Sequence, residues 1–231
     1  MDGIIAFWTD IGNKFYQAFF YADRWQLYLS GLGQTLSITA GAICISTLLG
    51  MVLCLMKLSK HRILRAPAQA YIDVIRGIPV MVQLLIIYFV ILSSWTNKLA
   101  VAIIAFAINS TAYVAEIFRS GIASVDQGQM EAGRSLGLSR FQTMRFIIFP
   151  QGIKNCLPTY ASEFIVLVKE TAVVGYIGMQ DLTKAYSIVQ SRTMDAMAPL
   201  LIIAVIYFII TTTLSKLFAA MERRLRASDQ R

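Results

Sequence analysis

Between Leu27 and Met56 the chain runs for 30 residues without one charged side chain. About 20 mostly apolar residues suffice for a helix to cross the hydrocarbon core. Within that core every backbone amide must be satisfied inside the segment, which leaves the helix as the only open form for one run. The fold class expected is therefore an all-α membrane protein. Only 15% of the residues are charged and 57% are hydrophobic, against about 25% charged in soluble domains. The formal net charge of +8 would suggest nucleic acid in a soluble protein. In a membrane protein it reflects basic cytoplasmic loops, so no nucleic acid partner is expected.

The remaining apolar runs predict five membrane spans in all: Leu27–Met56, Ile72–Leu92 with Pro79 inside, Leu99–Phe118, Ile153 to about Met179, and Ala196–Leu214. Ahead of them lies an aromatic segment over residues 1–26. It is expected as an interfacial amphipathic helix; a short extra span is the weaker alternative, because Asp10, Lys14, Asp23 and Arg24 interrupt it. MDGIIAFW has no basic leader, so no cleaved signal peptide is expected. One set of loops holds 14 Lys and Arg and the other holds five. That bias predicts the N-terminus outside and the C-terminus in the cytoplasm, with a basic tail over 221–231. Cys44, Cys54, Cys156 and the lone His61 form no ligand pattern. No metal site, no disulfide framework and no catalytic residues are expected, which ranks an enzyme last.

The stretch EAGRSLGLSRFQTMRFIIFP, Glu131 to Pro150, interrupts the apolar pattern. Asp126 is placed to cap a short helix over Gly128–Leu136, and Gly137 can end it in the left-handed conformation. Ser139 and Gln142 form an S-x-x-Q capping box for a second helix. Phe141, Met144, Arg145 and Ile148 fall on one face of it. The alternative is a polar loop folded back on the bilayer. No G-x-x-x-x-G-K-[ST] loop is present to cradle nucleotide phosphates.

The stretch resembles the EAA loop of ATP-binding-cassette (ABC) importer permeases. Glu131-Ala132-Gly133, Gly137, Ile147 and Phe149-Pro150 stand at the family spacing, with Gly133 and Phe149 as departures. YIDVIRGIPVMVQL, AYVAEIFRSGIASVDQGQMEAG and SEFIVLVKETAVVGYIGMQDL are similar to the polar amino acid subfamily, the histidine, glutamine, arginine and cystine type. The resemblance covers roughly residues 27–220, which would form one transmembrane domain of the type I importer fold, with the EAA loop near 126–150. It implies a multi-pass subunit of the bacterial cytoplasmic (inner) membrane. Its implied partners are an ABC ATPase holding ATP and Mg, a second permease (identical or related), and an extracellular or periplasmic amino-acid-binding protein, besides membrane lipid. Glu131, Ala132, Gly133 and Gly137 would form the coupling joint. Arg134, Phe141 and Arg145 would meet the ATPase or face water and headgroups.

Charges inside spans are costly and mark candidate sites. Glu163, Lys169 and Glu170 stand in the fourth expected span, Asn109 in the third and Gln83 in the second. An amino acid substrate needs partners for its carboxylate and ammonium once it leaves water. Lys169 is suited to the first and Glu163 to the second. A structural Lys–Glu pair is the alternative, and for Gln83 a helix–helix hydrogen bond. Glu116 is expected to pair locally with Arg119. The functional alternative is an ion-coupled carrier without an ATPase, using Glu163 or Glu170 as its proton or sodium site.

Overall fold

The computed structural model describes residues 1–227. Of the basic tail, residues 228–231 lie outside the described residues. The described chain is helical throughout. Helix α1 (Asp2–Phe19) leads through a turn at Ala22 and Asp23, both left-handed with φ 53°, into α2 (Trp25–Leu58). Two non-glycine residues hold that conformation because Arg24 pins the turn, donating from Nη1 to the Gln17 carbonyl at 2.6 Å. Helix α1 exposes Ile4, Ile5, Phe7 and Trp8 but packs Phe15, Ala18 and Phe19 against Tyr28 and the C-terminal helices. It is amphipathic, and it is also a packed part of the bundle.

Helix α2 is 34 residues long, about 51 Å at 1.5 Å per residue. It lies along α5 (Lys98–Ala123), the most buried of the long helices. Asn97 starts α5 by accepting from the Ala100 amide at 3.1 Å. Close packing comes from small residues: Gly41 and Gly50 of α2 face Ile103 and Val114 of α5 with no room for a β-carbon. Membrane helices gain their association from such close approach.

Of the five spans expected, three are continuous apolar helices: Tyr21–Leu58, Lys98–Ala123 and Met197–Arg224. The second expected span differs from its reading. It divides into α3 (Arg62–Gly77) and α4 (Val80–Ile86), which runs on as a π turn over Ile87–Ile91, and the two parts meet at 105°. Pro79, with no amide proton, stands at the corner. The expected single span carries a near-perpendicular turn there. The fourth expected span also differs. Helix α8 (Phe149–Glu170) is too polar to count as an apolar span, and its α-helical part ends at Glu170. The chain continues as a 3₁₀ helix over Thr171–Ile177 and turns at Gly178, φ 71°. Burial against α5 explains how α8 carries Glu163 and other polar groups.

Between α5 and α8 stand two short helices, α6 (Gln127–Ser135) and α7 (Arg140–Thr143), with a π turn over Met144–Ile148 leading into α8. After the Gly178 turn, α9 (Leu182–Thr193) is capped by Asp181, which accepts from the Lys184 amide at 2.8 Å. Asp195 opens α10 (Met197–Ala227) by accepting from Met197 and Ala198.

The ends of α5 and α8 meet at a pair of glycines. A β-carbon on Gly121 would lie 2.5 Å from the Gly152 carbonyl oxygen and 2.6 Å from the Cys156 β-carbon; one on Gly152 would lie 2.8 Å from the Ile122 α-carbon. Because backbone atoms stand opposite Gly121, side-chain rotation cannot make space. Gly121→Ala is expected to lower stability by about 1–3 kcal/mol, the usual cost of overpacking. Thermal unfolding of the solubilised protein checks this; an unchanged midpoint would show that the two helices separate freely.

Candidate coupling loop and translocation site

The Glu131–Pro150 stretch is two helices and a sharp turn. Asp126 caps α6 by accepting from the Gly128 amide at 2.7 Å. The helix ends in a Schellman pair: Leu138 donates to the Gly133 carbonyl and Gly137 to that of Arg134, each at 3.1 Å. This geometry needs a left-handed residue, and Gly137 supplies it with φ 86°. Ser139 and Gln142 then make the reciprocal capping box, at 3.2 and 2.8 Å. The expected division at Gly137 is what the backbone adopts.

Glu131, Ala132, Arg134, Phe141 and Arg145 are all exposed on this knob. Phe141 is 71% exposed, and Leu136 and Phe146 beside it stand out to a similar degree. Three large apolar side chains facing outward on a polar loop form a surface suited to a partner. A cavity of about 450 Å³ separates the knob from the end of α5, with Glu131, Arg140 and Met130 on its wall. The base of the knob is tied by Asn155 to Ser124 at 3.0 Å and by Gln151 to Gln129 at 3.3 Å.

Gly133 is buried, unlike its neighbours. A β-carbon there would lie 2.5 Å from Thr143 Cγ2 and 2.9 Å from its Oγ1. Thr143 is fully buried and donates to the Ser139 carbonyl at 3.1 Å. The two helices of the knob therefore touch through the glycine and the threonine, and Thr143 went unnoticed in the sequence.

At the same end of the bundle, Glu116 of α5 holds two cations. Arg119 approaches at 3.0 Å, as the i, i+3 spacing predicts, and Lys57 of α2 joins from across the helix pair. Asp73, by contrast, accepts from Gln69 at 2.6 Å, while Arg76 lies over the Tyr113 ring at 5.3 Å.

Deeper in the bundle, the expected polar residues form two sets. Gln83 donates its amide to the carbonyls of Ile75 and Ile78, at 2.6 and 2.7 Å, and accepts from Asn109 at 3.2 Å. Those carbonyls are left open by the corner at Pro79, so Gln83 mends the broken helix and Asn109 ties it to α5. Both side chains are buried. The second set is Glu163, which accepts from Ser110 of α5 at 2.9 Å. Ser110 was not singled out in the sequence; its position beside Asn109 on the polar side of α5 was the available signal. Lys169 is exposed and Glu170 half-buried at the far end of α8. Glu163 and Lys169 are six residues apart, hence about 9 Å along the axis and about 120° around it. The structure brings Glu163 to Ser110 and leaves Lys169 on another face.

Residues 42–227 match the family described as the binding-protein-dependent transport system inner membrane component. The chain belongs to this family. It is 36% identical over 208 residues to the putative glutamine transport system permease protein GlnP of Rickettsia prowazekii (strain Madrid E), covering 89% of this chain and 95% of that protein. It is also 36% identical over 204 residues to the arginine transport system permease protein ArtQ of Bacillus subtilis (strain 168), covering 87% and 93%. Among solved structures, an amino acid ABC transporter crystallised with histidines superposes with a TM-score of 0.82 at 47% identity, over 86% of this chain and 94% of that one. The inward-facing MetNI methionine ABC transporter, at 19% identity and a TM-score of 0.69, shares the fold. The chain is thus a membrane-embedded permease, a transport subunit of an ABC importer.

The contact between the two helices of the knob is open to a double-mutant cycle. Alanine in place of glycine in a helix gains about 1 kcal/mol of propensity. In the native background Thr143 opposes that gain; with Thr143→Ala the space is free. Gly133→Ala is therefore expected to be more favourable by about 1 kcal/mol or more in the Thr143→Ala background than alone, read by chemical or thermal unfolding. Equal effects in the two backgrounds would mean that the helices are not in contact.

Proposed function

We propose that this chain is the permease subunit of an ATP-driven importer that moves a polar or charged amino acid into the cytoplasm. The observation that carries the reading is one continuous path. A partner-facing knob is pinned at its base to α5 and α8, and those two helices hold the Glu163–Ser110 pair between them. The named relatives and the 47%-identical transporter support amino acids as the substrate class.

In this reading the N-terminus lies outside and the C-terminus in the cytoplasm of a bacterial inner membrane, as the basic-loop bias indicates. The broken α3–α4 pair and the sheltered α8 complete five crossings. A second permease, identical or related, encloses the path from the other side, and a binding protein delivers the amino acid. Each knob docks on an ATPase subunit, which holds ATP and magnesium. Leu136, Phe141 and Phe146 supply the apolar contact, while Glu131, Arg134 and Arg145 set its polar rim. Glu131–Gly133 and Gly137 form the joint.

Movement of the knob passes to α5 and α8 through the Gly121–Gly152 contact. It changes which side of the membrane the Glu163 region faces. A conformational shift of this kind needs substrate and nucleotide to bind the two states unequally. Glu163 receives the substrate's ammonium or cationic side chain. Lys169 and Glu170 belong to the outer end of the path, where Lys169 can meet the carboxylate first. Gln83 and Asn109 line the path as its rigid wall, held to the corner of α3 and α4 by the Gln83 amide and the Asn109–Gln83 hydrogen bond.

Reconstitution with the ATPase and binding protein tests the reading across an amino acid panel. One class should stimulate ATP hydrolysis, and uptake should survive collapse of the ion gradients. Uptake that follows the gradient and persists without the ATPase would establish the ion-coupled carrier instead. Hydrogen bonds to a charged group contribute about 1.5–3 kcal/mol, or roughly 10- to 100-fold in affinity. Glu163→Gln should therefore cut uptake at low substrate by at least about tenfold while the complex still assembles. An unaltered substrate dependence would remove Glu163 from the binding site.

A further inference from the structure

The corner between α2 and α3 holds a second concentration of charge, separate from the knob and from Glu163. Lys57, Arg62, Arg65 and Arg119 converge on a cavity of about 430 Å³, with Gln69 on its wall and no carboxylate among its described lining residues. Two nearby carboxylates are already engaged. Glu116 pairs with Lys57 and Arg119 at the back, and Asp73 accepts from Gln69 one turn farther along α3. The side chains of Arg62 and Arg65 are exposed at the mouth. His61, the residue that starts α3, makes no side-chain cap, so the positive end of that helix adds to the same field.

Exposed apolar side chains stand on the same two helices as this basic cavity, and Leu58 lines it. Ile63 is 87% exposed, and Leu55, Leu58 and Leu64 stand out beside it. In water such a set of exposed apolar residues would be costly. At the level where acyl chains give way to headgroups it is favourable, since leucine and isoleucine lie in hydrocarbon while arginines reach outward.

We infer that this cavity binds the phosphoryl headgroup of an anionic phospholipid, with Arg62 and Arg65 as the principal ligands and Lys57 and Arg119 as the deeper field. Guanidinium groups pair with phosphate through two parallel hydrogen bonds, and a lysine adds a point charge. The flanking apolar residues select a lipid over a soluble phosphate because they cover the first part of its acyl chains. The lipid would brace the α2–α3 corner, next to the Lys57–Glu116 ion pair that joins α2 to α5. The inference requires only a membrane-embedded chain and is independent of the transported substrate.

The test uses the permease purified with its ATPase in detergent. Bound lipid is counted by native mass spectrometry during titration with dioctanoyl phosphatidylglycerol or dioctanoyl phosphatidylcholine. Each basic side chain beside an anionic headgroup contributes about fivefold in affinity, so the native complex should prefer phosphatidylglycerol by at least about tenfold. Arg62→Gln with Arg65→Gln should bring the preference to within about twofold. Arg223→Gln with Arg224→Gln, which removes as much charge from α10, should leave it intact. Equal losses from the two pairs would mean a general surface field and would overturn the site. Inorganic phosphate in large excess should fail to displace the lipid; displacement at matched concentration would overturn the lipid assignment in favour of a soluble anion. In the native complex the preference must also fall several-fold as salt rises from about 50 to about 500 mM. A salt-independent preference would overturn the charge basis whether or not the glutamine variant folds. No preference for phosphatidylglycerol in the native complex would end the proposal.

Discussion

The base of the loop rests on two residues with no side chain. Gly121 and Gly152 let the backbones of α5 and α8 touch where the chain leaves one helix and returns to the other. Everything between them is thereby fixed as a loop with a narrow base. The knob cannot tilt without shifting the helix ends to which it is joined. A larger residue at Gly121 would open that base and loosen the knob from the two helices.

Above this base the bundle uses polar groups sparingly, and several of them bond one another across helices. Gln83 satisfies two carbonyls at the corner of the broken helix, and Asn109 holds Gln83. Glu116 pairs with a cation from its own helix and one from α2. Unpaired polar groups are expensive away from water, so such networks also fix which helix faces which. Glu163 differs in having one neutral partner, Ser110. A carboxylate held by a single hydroxyl has acceptor capacity left over, which fits the substrate-binding role proposed for it.

Much of the loop was legible in the sequence because its signals are local. Asp126, Gly137, Ser139 and Gln142 act within four residues of themselves, and each adopts the geometry its position implies. The partner of Gly133 was hidden because Thr143 is ten residues away across a turn. The same limit explains the spans. Pro79 announced a bend, but its size depends on whether the released carbonyls find donors, and Gln83 is that donor. Span four looked like a membrane helix with charges in it. Its tolerance for them comes from α5, which no local pattern reveals.

By itself the sequence determined that the chain is helical and membrane-embedded, where the loop between α5 and α8 turns, and which family it joins. These follow from apolar run length, capping chemistry and motif spacing, all of which are local in the chain. Tertiary structure alone decided that the second span folds into a corner, that Lys57 completes the Glu116 pair, and that Ser110 rather than Lys169 stands against Glu163. Each depends on which helix faces which. That choice is made by small residues, such as Gly50 against Val114 and Gly121 against Gly152, whose partners lie tens of residues away.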